Sequence, residues 1–218
     1  MKVEILVPKD LSEITLGKYM RYAKLETEES KDTQFLMQKC VEIFCGLDLK
    51  DIATVKYRSL LKVVNHINEL FNSKYEFVER FEMNGVHYGF IPVLDDISMG
   101  EYVDLDNYFS DWDSMHKAMA VLYRPITHSK KERYDIEAYE GTKNSDQFKD
   151  MPMDVVMGTF VFFYHLSKEL LTTTLNCLEK DLEMTSISLV HSEGSGAGIK
   201  AYMHSLRGML QDLNISLN

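Results

Sequence analysis

Basic residues are in short supply in this chain of 218 residues: 24 lysines and arginines stand against 34 aspartates and glutamates, a formal charge of −10. Such a surface repels the phosphate backbone that supplies most nucleic-acid affinity, so no direct nucleic-acid binding is expected, and a basic protein surface is attracted instead. Cysteine is scarce too. Cys40, Cys45 and Cys177 are odd in number, and the first two lie five apart in an apolar helical pattern. They read as buried thiols of a reducing compartment, not as a disulfide framework. Long apolar runs are missing. The richest window, Val155–Leu166, spans 12 residues, against the ~20 that cross a bilayer, so a buried core helix and no membrane partner are expected. The opening MKVEILVPKDLSE has no long apolar stretch and no small-residue cleavage site, which predicts a protein that starts at Met1 without a secretory signal, in the cytoplasm. Apolar residues are plentiful, at 45%. A chain of this length can bury one good core, or two adjoining ones, without metal or disulfide support.

Lys2–Val7 alternates briefly and stops at Pro8, as an edge strand or an extended arm would. Helical spacing follows in three stretches. Thr15–Leu25 places Leu16, Tyr19 or Met20, and Ala23 on one face. About Asp32–Leu47 repeats Leu36, Cys40, Ile43, Phe44 and Leu47. Tyr57–Phe71 aligns Leu60, Val64, Ile67 and Phe71. These define a helical subdomain over residues 1–74. At Tyr75 the texture changes. Glu76–Met83 and Val86–Ile91 flank Asn84-Gly85, the dipeptide that best tolerates the positive φ angles of a type I′ turn, so a β-hairpin ending at Pro92 is predicted.

Ser98 stands three residues before Glu101, the spacing of a capping box, and opens a short helix with Tyr102, Leu105 and Phe109 as its apolar face. Ser110 and Asp113 repeat that signal. The helix they start carries Trp112, Met115, Met119 and Leu122, and Pro125 should stop it at Arg124. Thr127–Asp150 is polar and mixed, with Arg133–Glu137 a short strand or a turn. Pro152 then begins a near-continuous apolar pattern to about Leu182, in which Leu171, Leu175, Leu178 and Leu182 recur at 4-3-4 spacing. The expected fold is mainly α, a bundle-like helical body with one inserted β-hairpin turning at Asn84-Gly85. Residues 75–190 hold the hairpin and helical core. Residues 191–218 form a glycine-linked C-terminal helical arm whose Ile199, Met203, Leu206, Leu210 and Leu213 make a stripe for partner contact. The large apolar residues around Trp112 and around Phe160 and Phe163 are expected to pack together.

No reacting constellation stands out along the chain. Gly194, Gly196 and Gly198 precede Lys200, but without the GK[ST] ending of a phosphate loop they read as a hinge. Asp95, Asp96, Glu101, Asp104, Asp106, Asp111 and Asp113 could converge on a hard cation, yet their spacing matches no ion-binding loop. Most sit at expected helix starts, where carboxylates complement the helix dipole. His87, His116 and His165 are scattered without metal-ligand spacing. The expectation is a protein without catalytic, cofactor or metal sites that works through contact surfaces. Its 13 methionines and its aromatics serve core and interface.

Gly89–Ile126 contains ISMGEY (Ile97–Tyr102), which echoes ITLGKY (Ile14–Tyr19). With Tyr134–Thr142 and Asp150–Leu166, it resembles an uncharacterised morphogenesis or virion protein type of tailed bacteriophages, particularly short-tailed phages of Bacteroidetes and marine hosts. ITLGKY and ISMGEY also resemble phrases of phage tail assembly chaperones. The resemblance implies a non-enzymatic structural or assembly protein, such as a neck, tail-ring or packaged component. Its partners would be other phage structural proteins and further copies of itself in an oligomer or ring. It would act in the host cytoplasm during assembly and then reside in the mature virion. A cytoplasmic tail assembly chaperone left out of the particle is the second expectation, and a small phage enzyme or regulator with an unrecognised site is the third.

Overall fold

The structure, a computed structural model, describes residues 5–28, 33–131 and 133–184. The expected C-terminal arm with Ile199, Met203, Leu206, Leu210 and Leu213 lies outside the described residues. Of the expected Lys2–Val7 strand, residues 5–7 are described, and they join no sheet.

Four helices open the chain: α1 (Leu16–Glu28), α2 (Thr33–Cys45), α3 (Leu49–Ile52) and α4 (Tyr57–Phe71). α4 shows why they form. Its Leu60, Ile67 and Phe71 fall on one stripe and are buried, while Arg58, Lys62, Asn65 and Asn68 face water. α3 is a single turn, too short to display a period.

The hairpin forms where expected. β1 (Arg80–Met83) pairs with β2 (Val86–Phe90), and the turn between them holds Asn84 at φ 52° and Gly85 at φ 76°, a left-handed conformation that glycine tolerates without steric cost. The hairpin is only half of the sheet. After α5 (Met99–Tyr108) and α6 (Met115–Leu122), the chain enters β3 (Tyr123–Lys130) and β4 (Arg133–Ile136), giving a four-stranded antiparallel sheet in the order β1-β2-β3-β4. The expectation of one isolated hairpin is therefore corrected, and so is a helix running to Arg124. Pro125 is tolerated inside β3 for a geometric reason. Its carbonyl accepts from the Glu137 N–H (2.9 Å), so the donor it lacks would have pointed at β4, where the ladder shifts register between Ile126 and His128.

α7 (Met153–Met184) is the long helix expected after Pro152, and its start is tied to the start of α1. Leu16 N–H donates to Met151 O and Met153 N–H donates to Ile14 O, both at 2.8 Å, on either side of a Thr15–Pro152 bridge. From Met153 to Phe160 every residue except Asp154 is buried. The apolar pattern runs on to about Leu182, but residues 168–173 within it are all exposed. Six consecutive residues exceed one 3.6-residue turn, so exposure there runs round the helix.

A relay of aromatic rings runs through the core. Phe90 meets Phe163 (6.1 Å between centroids), Phe163 meets Phe109 (5.3 Å), Phe109 meets Phe160 (5.0 Å), and Phe160 meets Trp112 (5.4 Å). Trp112 then meets Tyr19 (4.6 Å), which meets Phe71 (5.2 Å), which meets Phe44 (5.7 Å). The single tryptophan thus joins α7 to the N-terminal helices. The expected packing of Trp112 against Phe160 is present.

Gly158 in α7 lets the segment before β1 cross the helix. A Cβ at this position would lie 2.2 Å from the Glu76 carbonyl oxygen, a backbone atom that cannot swing away. Gly158→Ala should therefore destabilise by about 1–3 kcal/mol or more, as overpacking does. The control is Gly100→Ala in α5, where the nearest atom is an ordinary 3.7 Å contact with the Tyr139 ring. That change should shift a denaturant midpoint by no more than about 1 kcal/mol equivalent.

Candidate functional site

α5 begins as its sequence requires. The Ser98 side chain accepts from the Glu101 N–H (3.3 Å), and Glu101 Oε2 accepts from the Ser98 N–H (2.7 Å) and hydroxyl (2.6 Å). This reciprocal cap satisfies two groups that a helix start leaves open. Glu101 is also buried, because its other oxygen receives Arg124 Nη2 from β3 at 2.7 Å, with both side chains at most 13% exposed. Burial pushes the Glu101 carboxyl up. The Ser98 contacts and the Arg124 guanidinium more than offset that and hold it below its ordinary value. Next to this pair, Tyr139 donates to Asp104, and Arg124 lies over the Tyr139 ring at 5.8 Å. α5 is thereby fastened to the sheet by its inner face.

The outer face is apolar. Met99 is 73% exposed, Tyr102 52% and Val103 41%. At spacing i, i+3, i+4 they form one stripe, which Asp106 extends at i+7. This corrects the expected inner face of Tyr102, Leu105 and Phe109: Phe109 is buried and Leu105 half-buried, but Tyr102 points outward. The two stripes share Tyr102, and packing decides between them. The echoed hexapeptides diverge in the same way. Leu16 and Tyr19 of ITLGKY are buried, whereas Met99 and Tyr102 at the matching positions of ISMGEY face water. Val93, just upstream, is also exposed.

The acidic run has mixed roles. Besides Glu101 and Asp104, Asp111 caps a 3-10 turn (Trp112–Ser114) by accepting from the Asp113 N–H at 3.0 Å, and Asp113 lies 3.8 Å from Lys24 Nζ. The expected Ser110 cap is thus Asp111. Asp95, Asp96 and Asp106 are exposed. Among the described residues, no cluster of three or more His, Cys, Asp or Glu is placed to hold a metal ion.

Beside the Arg124–Glu101 pair lies an open groove of about 550 Å³, lined in part by Thr127, Glu137, Tyr139, Lys143 and Gln147. Another, of about 590 Å³, lies over β1 to β3 with Arg80, His87 and His128. Sequence spacing could not reveal Arg124 or Tyr139 as partners of α5, since both meet it only through the sheet. Cys40 and Cys45 are buried free thiols, and burial pushes Cys45 up to about 11, despite Lys18, leaving little reactive thiolate. His87 and His165 are exposed.

His116 is different. It is buried on α6, with Nδ1 lacking a partner and Nε2 3.7 Å from Asp146. Burial, then Lys149 and Lys117, hold its pKa below 6.5 against the opposing pull of Asp146. The unfolded chain therefore binds this proton more readily than the folded one, so stability falls as pH drops below about 6.5. Glu101 acts lower: its folded pKa is depressed, so its contribution is present above about 4.5 and is lost as pH falls through the folded value. Melts across pH 7 to 3 should show two stages of acid destabilisation, and His116→Gln should flatten only the first.

No described helix is long and apolar enough to cross a membrane. No family model, curated protein or solved structure matches the chain.

Proposed function

We propose that this protein is a non-enzymatic structural or assembly component of a tailed bacteriophage, acting through protein–protein contacts. The observation that supports this is the outward stripe of Met99, Tyr102 and Val103 on a helix whose inner face is fastened by a buried ion pair. Methionine and tyrosine are residue types enriched in protein interfaces, and a rigid mount reduces the ordering cost of binding. The exposed stretch of α7 at residues 168–173 adds a second surface on which copies or partners can meet. The sequence resemblance of Gly89–Ile126 and Asp150–Leu166 to phage morphogenesis proteins supplies the biological setting. Its partners in this reading are neck or tail proteins and further copies of the chain in a closed ring.

Mass spectrometry of purified particles tests the reading. A fixed copy number per particle is the expected result. Absence from particles, with the protein held by a tail component in the infected cell, would instead assign it as an assembly chaperone. Absence from both would overturn the proposal.

A further inference from the structure

We infer that the α5 stripe docks one kind of surface: an apolar anchor ringed by lysine or arginine on a partner protein. The inference rests on the contact role above and specifies its chemistry.

The apolar centre is Met99, Tyr102 and Val103, set within about a third of the helix circumference by their spacing. Polar substituents are sparse in it. Tyr102 contributes a ring with a hydroxyl, suited to a contact whose middle is dry and whose edge is wet. The rim carries charge of one sign. Asp95 and Asp96 precede the helix, Asp106 continues the stripe by one turn, and all three are exposed. Between Arg80 and Lys117 the sequence holds no lysine or arginine at all. Of the bases on other elements, Arg124 is engaged by Glu101, Lys24 lies beside Asp113, and Lys117 lies over the Tyr108 ring at 5.1 Å. Among the described residues, none forms an ion pair with Asp95, Asp96 or Asp106.

Charge decides the occupant. A second copy of this same stripe would bring Asp106 and its neighbours against like charge, which disfavours self-docking here. A partner with basic groups around an apolar side chain relieves the repulsion among the aspartates and covers the stripe. Electrostatic attraction of this kind raises the association rate and weakens with salt.

The test places a photo-reactive benzoyl-phenylalanine at position 102 of the full chain, in particles or in extract from infected cells, and sequences the cross-linked peptide. In parallel, carbodiimide activates the exposed carboxylates. A lysine amine within reach displaces the activated ester, forming an amide and releasing the urea. The expected result is a cross-linked peptide from another protein with an apolar residue flanked by lysine or arginine, together with amide links from Asp95, Asp96 or Asp106 to that protein's lysines. Asp95→Lys, Asp96→Lys and Asp106→Lys combined should reduce association at least ten-fold, and Met99→Ala with Tyr102→Ala should do the same. These positions are exposed, so folding is checked by an unchanged melt. Cross-linking at position 102 to an acidic peptide, to a peptide whose flanking bases are lysines that form no amide links, or to a second copy of this chain, would overturn the basic partner. It would leave a contact role standing. No cross-link at position 102 in an assembly that contains the protein would overturn the docking surface itself, and only absence from every assembly would bring down the function above.

Discussion

Replacing Phe160 with alanine should lower stability by about 3–5 kcal/mol, the range for deleting a large aromatic from a closed core. Phe160 is fully buried in α7 and stands in the ring relay between Phe109 and Trp112, at 5.0 and 5.4 Å. Its removal takes away transfer free energy and leaves a void bounded by two rings that cannot collapse onto it without shifting α5 and the 3-10 turn beneath Trp112. For a protein of this size, that loss corresponds to a fall in melting temperature on the order of 10 °C. The relay gives the experiment a second readout. Because Trp112 also stacks edge-on against Tyr19, loosening at Phe160 should change tryptophan fluorescence before the global transition. An unchanged melt would mean that this face of α7 is not part of a closed core.

Replacing Glu101 with glutamine should be of similar size, about 3–5 kcal/mol, for a different reason. The substitution retains a side chain of nearly the same shape but leaves the Arg124 guanidinium buried against a neutral partner. Arg124 Nε already has no hydrogen-bond partner, so the residue has little else to satisfy it. Removing both charges together should be milder. Glu101→Leu with Arg124→Met takes away the unpaired buried charge, although the Glu101 half of the capping box is still lost, at about 1 kcal/mol. Denaturant titration of Glu101→Leu, Arg124→Met and the double completes the cycle. Two singles that sum to the double would show that the pair is not coupled and that α5 is held to β3 by packing alone.

Acid sensitivity follows from the same chemistry. His116 enters the folded state neutral and Glu101 enters it charged, so protonation of either works against the fold, in separate pH windows.

Local chemistry made several elements legible from residues alone. Asn84-Gly85 specified its turn because few dipeptides accept two positive φ angles, and Ser98 with Glu101 specified the start of α5 because both ends of the capping box lie within one turn. The apolar periods of α1, α2 and α4 are likewise readable, each within its own segment. What eluded the sequence depends on neighbours distant along the chain. Tyr123 and Arg124 read as the end of a helix because Pro125 reads as a stop, and only the pairing with β2 and the bulge toward β4 make that proline acceptable in a strand. The extent of α7 was readable, but where its burial ends was not, since burial is set by how far the rest of the body reaches along it. At α5 the residues permitted two apolar stripes sharing Tyr102. Tertiary structure chose between them: the Glu101–Arg124 pair and the Phe109 rings fix the helix rotation, which buries one stripe and leaves Met99, Tyr102 and Val103 in water. Helical periodicity can say which residues share a face, but which face turns inward depends on partners that only folding brings together.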